Sequence, residues 1–175
     1  MFDVIVVGGG HAGSEAAFAV SRMGLNCALV TFNKNQIGQM SCNPAIGGVG
    51  KSHLVREVDA MGGLIATATD MSGIQYRTLN TRKGLAVRAL RVQCDRGLYK
   101  NAVQEIINTT TIKVIEDEVI DLIVKGREVS GVLTKSYGEI KASKVILTTG
   151  TFLNGKMFKG SAQTPGGRVG DPTSI

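Results

Sequence analysis

The residues at 8–13 are the clearest candidates for chemistry in this sequence. They read GGGHAG and fit the spacing GxGxxG, which places Gly8, Gly10 and Gly13 at the three glycine positions. In a strand–turn–helix unit, the first glycine permits a tight turn and the second lets the backbone approach a pyrophosphate. The third glycine lets the helix pack closely on the strand, and the free N–H groups of that helix bind the phosphates. The pattern predicts a dinucleotide site, with His11 packed near the cofactor.

A second candidate is Cys42, within the segment SCNP at 41–44. It lies in a loop after the second predicted strand, on the carboxyl side of the sheet, where open α/β sheets bind ligands. Lys51 and His53 are close in sequence, and electropositive, partly exposed surroundings favour a reactive thiolate. The alternative is a buried structural cysteine, which is the better interpretation for Cys27 and Cys94. The residues alone leave both roles open for Cys42.

The glycine-rich segment at 47–52 reads GGVGKS and superficially resembles a nucleotide-triphosphate loop. The first glycine of GxxxxGK[ST] would fall at Ala45, and no strand is predicted to lead directly into the loop. The sequence therefore argues against ATP or GTP hydrolysis here.

The elements that must position the first site form a βαβ unit. An apolar run at 2–7 predicts a buried strand, a helix extends to about Met23, and a second strand covers 27–30. NAD-binding units usually end the second strand with a carboxylate that binds the ribose. This chain has Thr31, Phe32 and Asn33 there. Either Thr31 or Asn33 takes the place of the carboxylate, or the ribose is held by residues elsewhere in the chain. The lack of a carboxylate at this position disfavours NAD as the ligand more than it disfavours FAD.

The rest of the chain predicts a helix, a small meander and a returning strand. A loop covers 33–50, and Gly62 and Gly63 end a helix at 51–61. The further predicted elements are a short helical or irregular segment at 73–80, a helix at 95–107, meander strands at 112–115, 119–124, 129–134 and around 140, a buried strand ending in a small-residue turn at 144–150, and an aperiodic tail at 151–175. This α/β layout predicts a FAD-binding, Rossmann-like domain of the glutathione-reductase type, truncated within the domain, whose last strand returns beside the first.

Composition limits the function classes. A chain of 175 residues with 43% hydrophobic content is expected to form one folded domain. No apolar run reaches membrane-spanning length, and the first strand begins too early for a signal peptide. The three cysteines and two histidines lack metal-ligand spacing. We therefore expect a reduced, cytoplasmic protein without a metal site and without a membrane partner.

Positive charge is concentrated in one stretch. Residues 77–100 contain seven basic residues and one acidic residue, which accounts for the whole net charge of +6. A local basic patch indicates a polyanionic partner, and a solvated helix face with ion-pair partners elsewhere in the fold is the alternative.

Five segments together resemble the MnmG (GidA) family of FAD-dependent tRNA uridine 5-carboxymethylaminomethyl modification enzymes. They are GGGHAGSEAA at 8–17, GQMSCNPAIGGVGKSHLVREVDAMGG at 38–63, GIQYRTLNTRKGLAVRALRVQCDR at 73–96, LTTGTFLNGK at 147–156 and GGRVGDPTSI at 166–175. The resemblance covers essentially the whole chain. It implies a homodimeric flavoprotein that joins the GTPase MnmE in a heterotetramer and modifies the 5-position of the wobble uridine in tRNA. Methylene-tetrahydrofolate would supply the carbon, and NADH would reduce the flavin.

The same resemblance assigns site residues. It implies that Cys42 is a catalytic nucleophile and that Val119 and Ser174 contact FAD, Val119 through backbone groups that recognise adenine. The implied pyrophosphate contacts are Gly8, Gly9, Gly10, His11, Ala12 and Gly13. A second family cysteine is absent from this chain, so which cysteine attacks the base stays open. Phosphates of tRNA become the expected partner of the basic stretch.

Family members are several times longer than this chain. Residues 1–175 are therefore predicted to be the N-terminal portion of the FAD-binding domain, without the rest of that domain, the NADH-binding portion or the helical C-terminal domain. We expect no catalytic activity from this portion alone. Two alternatives are a generic FAD-dependent oxidoreductase of a small molecule and a non-enzymatic, truncated remnant.

Overall fold

The computed structural model is a mixed α/β fold, and it describes residues 1–41, 43–151, 153 and 155–166. The strands are β1 Phe2–Val7, β2 Cys27–Thr31, β3 Ala45–Gly47, β4 Gly73–Leu79, β5 Ala89–Cys94, β6 Lys113–Glu116, β7 Val119–Lys125, β8 Glu128–Thr134, β9 Gly138–Leu147, β10 Lys156–Lys159 and β11 Ala162–Pro165. The α-helices are α1 His11–Arg22, α2 Ser52–Ala60, α3 Leu64–Ser72 and α4 Arg96–Asn108. The predicted βαβ unit is confirmed as β1, α1 and β2.

The main sheet has the strand order β6-β2-β1-β9-β8-β7. Strands β6, β2, β1 and β9 are parallel neighbours, with Val7 opposite Val30 on one side and Leu147 on the other. The prediction that the last strand returns beside the first is therefore confirmed. Because the carboxyl ends of parallel strands meet at one edge, the turns after β1, β2 and β9 lie together.

Strand β9 belongs to two kinds of pairing. Its first part pairs antiparallel with β8, and from Ala142 onward it pairs parallel with β1. The predicted separate strands around 140 and at 144–150 are thus one continuous strand. The prediction that 112–115 belongs to the meander is wrong, since β6 pairs with β2 at the edge of the parallel sheet. The meander consists of β7, β8 and β9.

A second, three-stranded antiparallel sheet has the order β3-β5-β4. The prediction of a helical or irregular segment at 73–80 is wrong, because this segment is β4. Ile74, Tyr76 and Thr78 alternate with polar residues, which suits a strand, and pairing with β5 fixes that conformation. β3 lies in the predicted loop at 33–50, and the hairpin β10–β11 lies in the predicted aperiodic tail.

The main core lies between the parallel sheet and the helices α1, α3 and α4. Leu29 from β2, Leu64 from α3 and Tyr99 from α4 are among its fully buried side chains. A smaller core on the other face of the sheet includes Ile5 and Val132. Burial of this apolar area is the main favourable term that holds the site's elements in place.

Helix α3 was not predicted, and its N-terminus is stabilised from a distant part of the chain. The carboxylate of Glu15 in α1 accepts hydrogen bonds from Leu64 N at 2.9 Å and Ile65 N at 3.0 Å. These backbone donors are otherwise unpaired at a helix start, and the negative charge complements the helix dipole. The guanidinium of Arg22, at the other end of α1, donates to the carbonyls of Met61 and Gly62.

Two predicted apolar faces are more exposed than expected. Leu147, at the end of the strand predicted to be buried, is 53% exposed. Leu54 on α2 and Met61, which directly follows that helix, are exposed, although their spacing predicted a packed face. Among the described residues, no helix is long and apolar enough to cross a membrane.

Candidate dinucleotide-binding site

A cleft with a volume of about 320 Å³ lies at the carboxyl ends of the central parallel strands. Its lining comes from four main places in the chain: the glycine turn after β1, the end of β2 with the loop that follows, the meander residues from Val119 to Leu122, and the turn after β9 at Thr148 to Gly150. The first and last of these are far apart in sequence. Sheet topology alone brings them together, at the position where open α/β folds bind ligands.

The glycine turn has the conformation that a dinucleotide requires. Gly8 has a φ of +108°, and a Cβ there would collide with the carbonyl of Thr148. A Cβ on Gly13 would collide with the carbonyl of Gly8, so only glycine lets α1 approach the turn this closely. At Gly10 a Cβ would meet nothing within 4 Å. The backbone at Gly10 therefore borders open space beside the N-terminus of α1, where a pyrophosphate fits.

The turn after β9 is joined to the glycine turn by three hydrogen bonds. Thr148 N donates to the carbonyl of Val7 at 2.9 Å. The hydroxyl of Thr148 donates to Val7 O at 2.7 Å and lies 3.2 Å from Gly8 O. Thr148 thus fixes the two turns against each other through its backbone N–H and its hydroxyl, which holds this part of the cleft in shape before a ligand arrives.

The meander forms the opposite wall, and Asp117 anchors it. Its carboxylate accepts hydrogen bonds from Glu118 N, Ser136 N, Ser136 Oγ and Tyr137 N at 2.8–3.1 Å. Burial by itself would raise the pKa of Asp117, but these donors hold it well below its usual range. The charged carboxylate therefore fixes the start of β7 to the β8–β9 turn. Val119, two residues later, begins β7 and lines the cleft.

The missing carboxylate at the end of β2 is replaced by neutral groups. Thr31 and Phe32 line the cleft, and the oxygen Thr31 Oγ1 lies 2.9 Å from the position that a Cβ on Gly9 would take. Asn33 Oδ1 accepts a hydrogen bond from Asn35 N at 2.9 Å, which gives Asn33 a structural task at the next turn. Asp121 also lines the cleft, from β7. Thr31 and Asp121 are thus the candidates to hold a ribose.

His11, Ala12 and Gly13 form the first turn of α1, behind the cleft lining. The His11 ring faces Tyr99 of α4, with 5.4 Å between ring centroids and 60° between ring planes. Burial lowers the pKa of His11. The neutral imidazole suits the positive end of the helix dipole, and this placement agrees with packing near a cofactor. Ser174 lies outside the described residues.

Cys42 also lies outside the described residues, but the segment on both sides of it is described. Arg91 Nη2 on β5 donates to Asn43 Oδ1 at 2.9 Å, and Arg96 Nη2 on α4 donates to Met40 O at 3.4 Å. On the amino-terminal side, Gly38 N donates to Gly9 O at 3.0 Å, which attaches this loop to the glycine turn. Two guanidinium groups therefore hold the residues that flank Cys42. From the sequence, Lys51 and His53 were the predicted basic neighbours of Cys42, because contacts as distant as those of Arg91 and Arg96 leave no local pattern.

The other two cysteines are structural. Cys27 and Cys94 are both buried and free of disulfides. Burial raises the pKa of the Cys27 thiol to about 11 and also raises that of Cys94. Among the described residues there is no cluster of His, Cys, Asp and Glu that could hold a metal ion.

The basic stretch at 77–100 covers the end of β4, the loop after it, β5 and the first turn of α4. Within the described part of the chain the one ion pair is Lys135–Glu118, so no acidic side chain pairs with a member of this stretch. Asp95, its one acidic residue, accepts from Leu98 N at 2.8 Å as the N-cap of α4. The alternative of a helix face neutralised elsewhere in the fold is therefore weakened.

This fold and cleft place the chain in the fold class of the FAD-dependent oxidoreductases. The sequence profile of the family described as Glucose inhibited division protein A matches residues 3–175. The chain belongs to the GidA family, as the sequence analysis predicted. Two crystal forms of GidA from Aquifex aeolicus are 49% identical to it, with TM-scores of 0.94 and 0.93, and the match covers 99% of this chain and 29% of that one.

More distant structures share the fold alone. The GidA-related protein from Thermus thermophilus is 18% identical, with a TM-score of 0.67, over 98% of this chain and 63% of that one. Glycine oxidase from Bacillus cereus is 17% identical, with a TM-score of 0.58, over 87% and 56%. Because the chain spans 29% of the length of Aquifex GidA, activity, substrates and partners of the longer protein are matters of proposal.

Proposed function

We propose that this chain forms the adenine-dinucleotide part of a FAD site in an enzyme that modifies the wobble uridine of tRNA. The observation that supports it most is the attachment of the Thr148 turn to the glycine turn beside an open Gly10. FAD is favoured over NAD because neutral residues end β2. Bound flavin would supply hydride or one-carbon chemistry at the base.

A ligand series tests the cofactor assignment. The cleft is lined by residues suited to adenosine diphosphate, so the purified chain should bind ADP and FAD with similar affinity and should bind FMN, which lacks that moiety, much more weakly. Isothermal titration gives the dissociation constants, and quenching of flavin fluorescence gives an independent value for FAD. Tight binding of FMN together with weak binding of ADP would contradict the proposal.

We further propose that Cys42 is the nucleophile. Its thiolate would add to C6 of uracil: the Sγ–C6 bond forms as the C5–C6 π pair moves to C5, which then attacks a one-carbon unit from methylene-tetrahydrofolate. Loss of the C5 proton would expel tetrahydrofolate from the new methylene carbon and leave an exocyclic methylene group. Glycine or ammonium would add to that methylene carbon, and the resulting enolate would expel the thiolate from C6, which restores the C5–C6 double bond. Arg91 and Arg96 would stabilise the thiolate through their positive charge, since both hold residues that flank Cys42.

The rate of alkylation tests this role. Cys27 and Cys94 are buried, with raised pKa values, so iodoacetamide should label Cys42 selectively in the native chain, and mass spectrometry of peptides verifies the site. We expect Cys42 to be alkylated faster near neutral pH than an ordinary exposed thiol, and we expect Arg91→Gln to slow the reaction, because nearby positive charge favours the thiolate. Arg82→Gln removes the same charge from the β4–β5 loop and should change the alkylation rate much less. An ordinary alkylation rate that Arg91→Gln leaves unchanged would contradict the proposal.

The test in cells concerns the longer protein. A strain with Cys42→Ser should lose the modified wobble uridine, measured by mass spectrometry of digested tRNA. Normal modification in that strain would exclude Cys42 as the nucleophile.

The proposed nucleic-acid partner is tRNA, bound in part by the basic stretch. Neutralising Arg77, Arg82 and Arg88 to Gln should weaken tRNA binding and reduce the slope of log K against log salt by about 2–3, because each phosphate contact contributes nearly one unit. Neutralising Lys125, Arg127 and Lys141 in the meander removes equal charge elsewhere and serves as the control. If both triple variants weaken tRNA binding equally, the binding reflects nonspecific attraction to the protein's net charge and not a tRNA site on the basic stretch.

The remaining partners are proposed for the longer protein on family grounds: a homodimer, the GTPase MnmE in a heterotetramer, methylene-tetrahydrofolate as carbon donor and NADH as reductant. We propose a cytoplasmic location and no catalytic activity for the 175 residues alone. A generic FAD oxidoreductase would instead turn over a small molecule without RNA. A non-enzymatic remnant would bind FAD weakly or not at all.

A further inference from the structure

Two polar atoms in the core have no hydrogen-bond partner, and they belong to neighbouring side chains. They are the hydroxyl of Tyr99 and Nδ1 of His11, and no other buried side-chain N or O atom in the described ranges lacks a partner. Tyr99 is 0% exposed. The ring centroids are 5.4 Å apart. Buried tyrosine hydroxyls nearly always have a partner, so two unpaired polar atoms on neighbouring rings point to a shared partner.

The polar groups around the pair are already engaged. Glu15 lies near Tyr99, but both of its carboxylate oxygens accept hydrogen bonds from the first turn of α3. Cys94 is also close, and its thiol donates to Val92 O at 3.8 Å. A partner for the two atoms is therefore best sought between their own rings.

The location of the pair connects it to the cleft. His11 is the first residue of α1 and directly follows Gly10, whose carbonyl accepts from Ser14 N at 2.9 Å. Tyr99 lies one turn after Arg96 on α4, the helix that also holds the loop at 35–40 through Gln104 and Arg96. A link between the two rings would tie the N-terminal turn of α1 to the helix that fixes the neighbouring loop.

We propose that one buried water molecule joins the Tyr99 hydroxyl to Nδ1 of His11, and that this link positions the first turn of α1 for the dinucleotide. The water accepts from the phenol and donates to the neutral imidazole, which satisfies both atoms with one molecule. Tyr99 is thus a positioning residue that acts through His11. The second half of the proposal rests on the proposed dinucleotide site.

Tyr99→Phe tests the link, because it removes one oxygen and keeps the ring. If the link exists, the variant should unfold several degrees below the wild type, should change the ¹⁵N chemical shift of His11 Nδ1, and should bind ADP about three- to tenfold more weakly. If the hydroxyl has no partner, its removal should raise the melting temperature and leave the chemical shift and affinity unchanged, which overturns the proposal. Tyr137→Phe, at a ring that is 68% exposed, is the control and should change nothing.

A second variant separates the link from general damage to packing. In a His11→Leu background, Tyr99→Phe should cause no further loss of stability or affinity, whereas independent roles would give additive losses. The melting temperature and the chemical shift are measured without ligand. If the wild type fails to bind ADP, the dinucleotide proposal fails by itself, and the ligand-free measurements still decide whether the link exists.

Discussion

Replacing Gly10 by alanine should separate ligand binding from folding. Gly10 has a φ of −74°, which any residue adopts, and a Cβ there meets nothing within 4 Å. Alanine should raise the free energy of unfolding by about 0.4–1 kcal/mol, because it restricts the unfolded chain. It should lower the same free energy by a few tenths up to about 1 kcal/mol, because it is a poorer helix N-cap than glycine. The two terms nearly cancel, so the free energy of unfolding should change by less than about 0.5 kcal/mol.

The affinity of Gly10→Ala for the ligand should fall, unlike its stability, because the added methyl group would project into the space where the pyrophosphate is proposed to approach the backbone. We expect at least a tenfold loss of ADP or FAD affinity, equivalent to about 1.4 kcal/mol. Gly13→Ala provides the contrast. Its Cβ would collide with the carbonyl of Gly8, and overpacking of this kind costs about 1–3 kcal/mol of stability. Gly84→Ala, in an open loop without a positive φ, is the matched control for both measurements.

Urea denaturation of the ligand-free chain gives the stabilities, and titration calorimetry gives the dissociation constants. The reasoning is refuted if Gly10→Ala binds ADP as tightly as the wild type, since the ligand would then lie away from the turn. It is also refuted if Gly10→Ala unfolds as easily as Gly13→Ala, because the space beside Gly10 would then be needed by the protein itself.

Three further predictions concern residues that hold the site together. Thr148→Val should lower stability by about 1 kcal/mol and weaken ADP binding, because it removes the hydroxyl bonds to Val7 and Gly8, as urea denaturation and calorimetry would detect. Glu15→Gln should cost about 1–2 kcal/mol through the weakened start of α3, and native hydrogen exchange should rise first in that helix. Asp117→Asn should cost about 2 kcal/mol at neutral pH. Folding lowers the pKa of Asp117, so the stability that its charged form adds is present above the unfolded pKa of 3.8 and declines as the pH falls below that value. The difference in free energy of unfolding between the wild type and Asp117→Asn should therefore narrow at about pH 3.

Local patterns predicted the parts of the fold whose causes are local. The strand, glycine turn and helix at 2–22 were predicted correctly because an apolar run, a glycine-rich turn and helically spaced residues follow one another in the sequence. The helix at 96–108 was predicted because its apolar residues keep helical spacing, and the structure adds that Asp95 caps it. These elements lie close to their predicted bounds.

The errors occur where a distant contact decides the structure. Helix α3 depends on a carboxylate from α1, 49 residues earlier, which no local window contains. Strand β6 has the composition of a meander strand, and only its pairing with β2 places it in the parallel sheet. The guanidinium groups of Arg91 and Arg96 reach the loop around Cys42 from other elements, so that loop looked less electropositive in the sequence than it is in the fold.

The absent carboxylate after β2 now has a physical interpretation. In this cleft the ligand's phosphates would meet backbone atoms of the glycine turn, and adenine would meet backbone atoms of β7 at Val119. A side chain at the end of β2 would add only ribose contacts, and Asp121 approaches the same cleft from the meander. If Asp121 has taken over that task, Asp121→Asn should weaken ADP and FAD binding by similar factors and leave inorganic pyrophosphate binding unchanged. Thr31→Val should then have the smaller effect, and the reverse order of the two variants would assign the ribose to β2 instead.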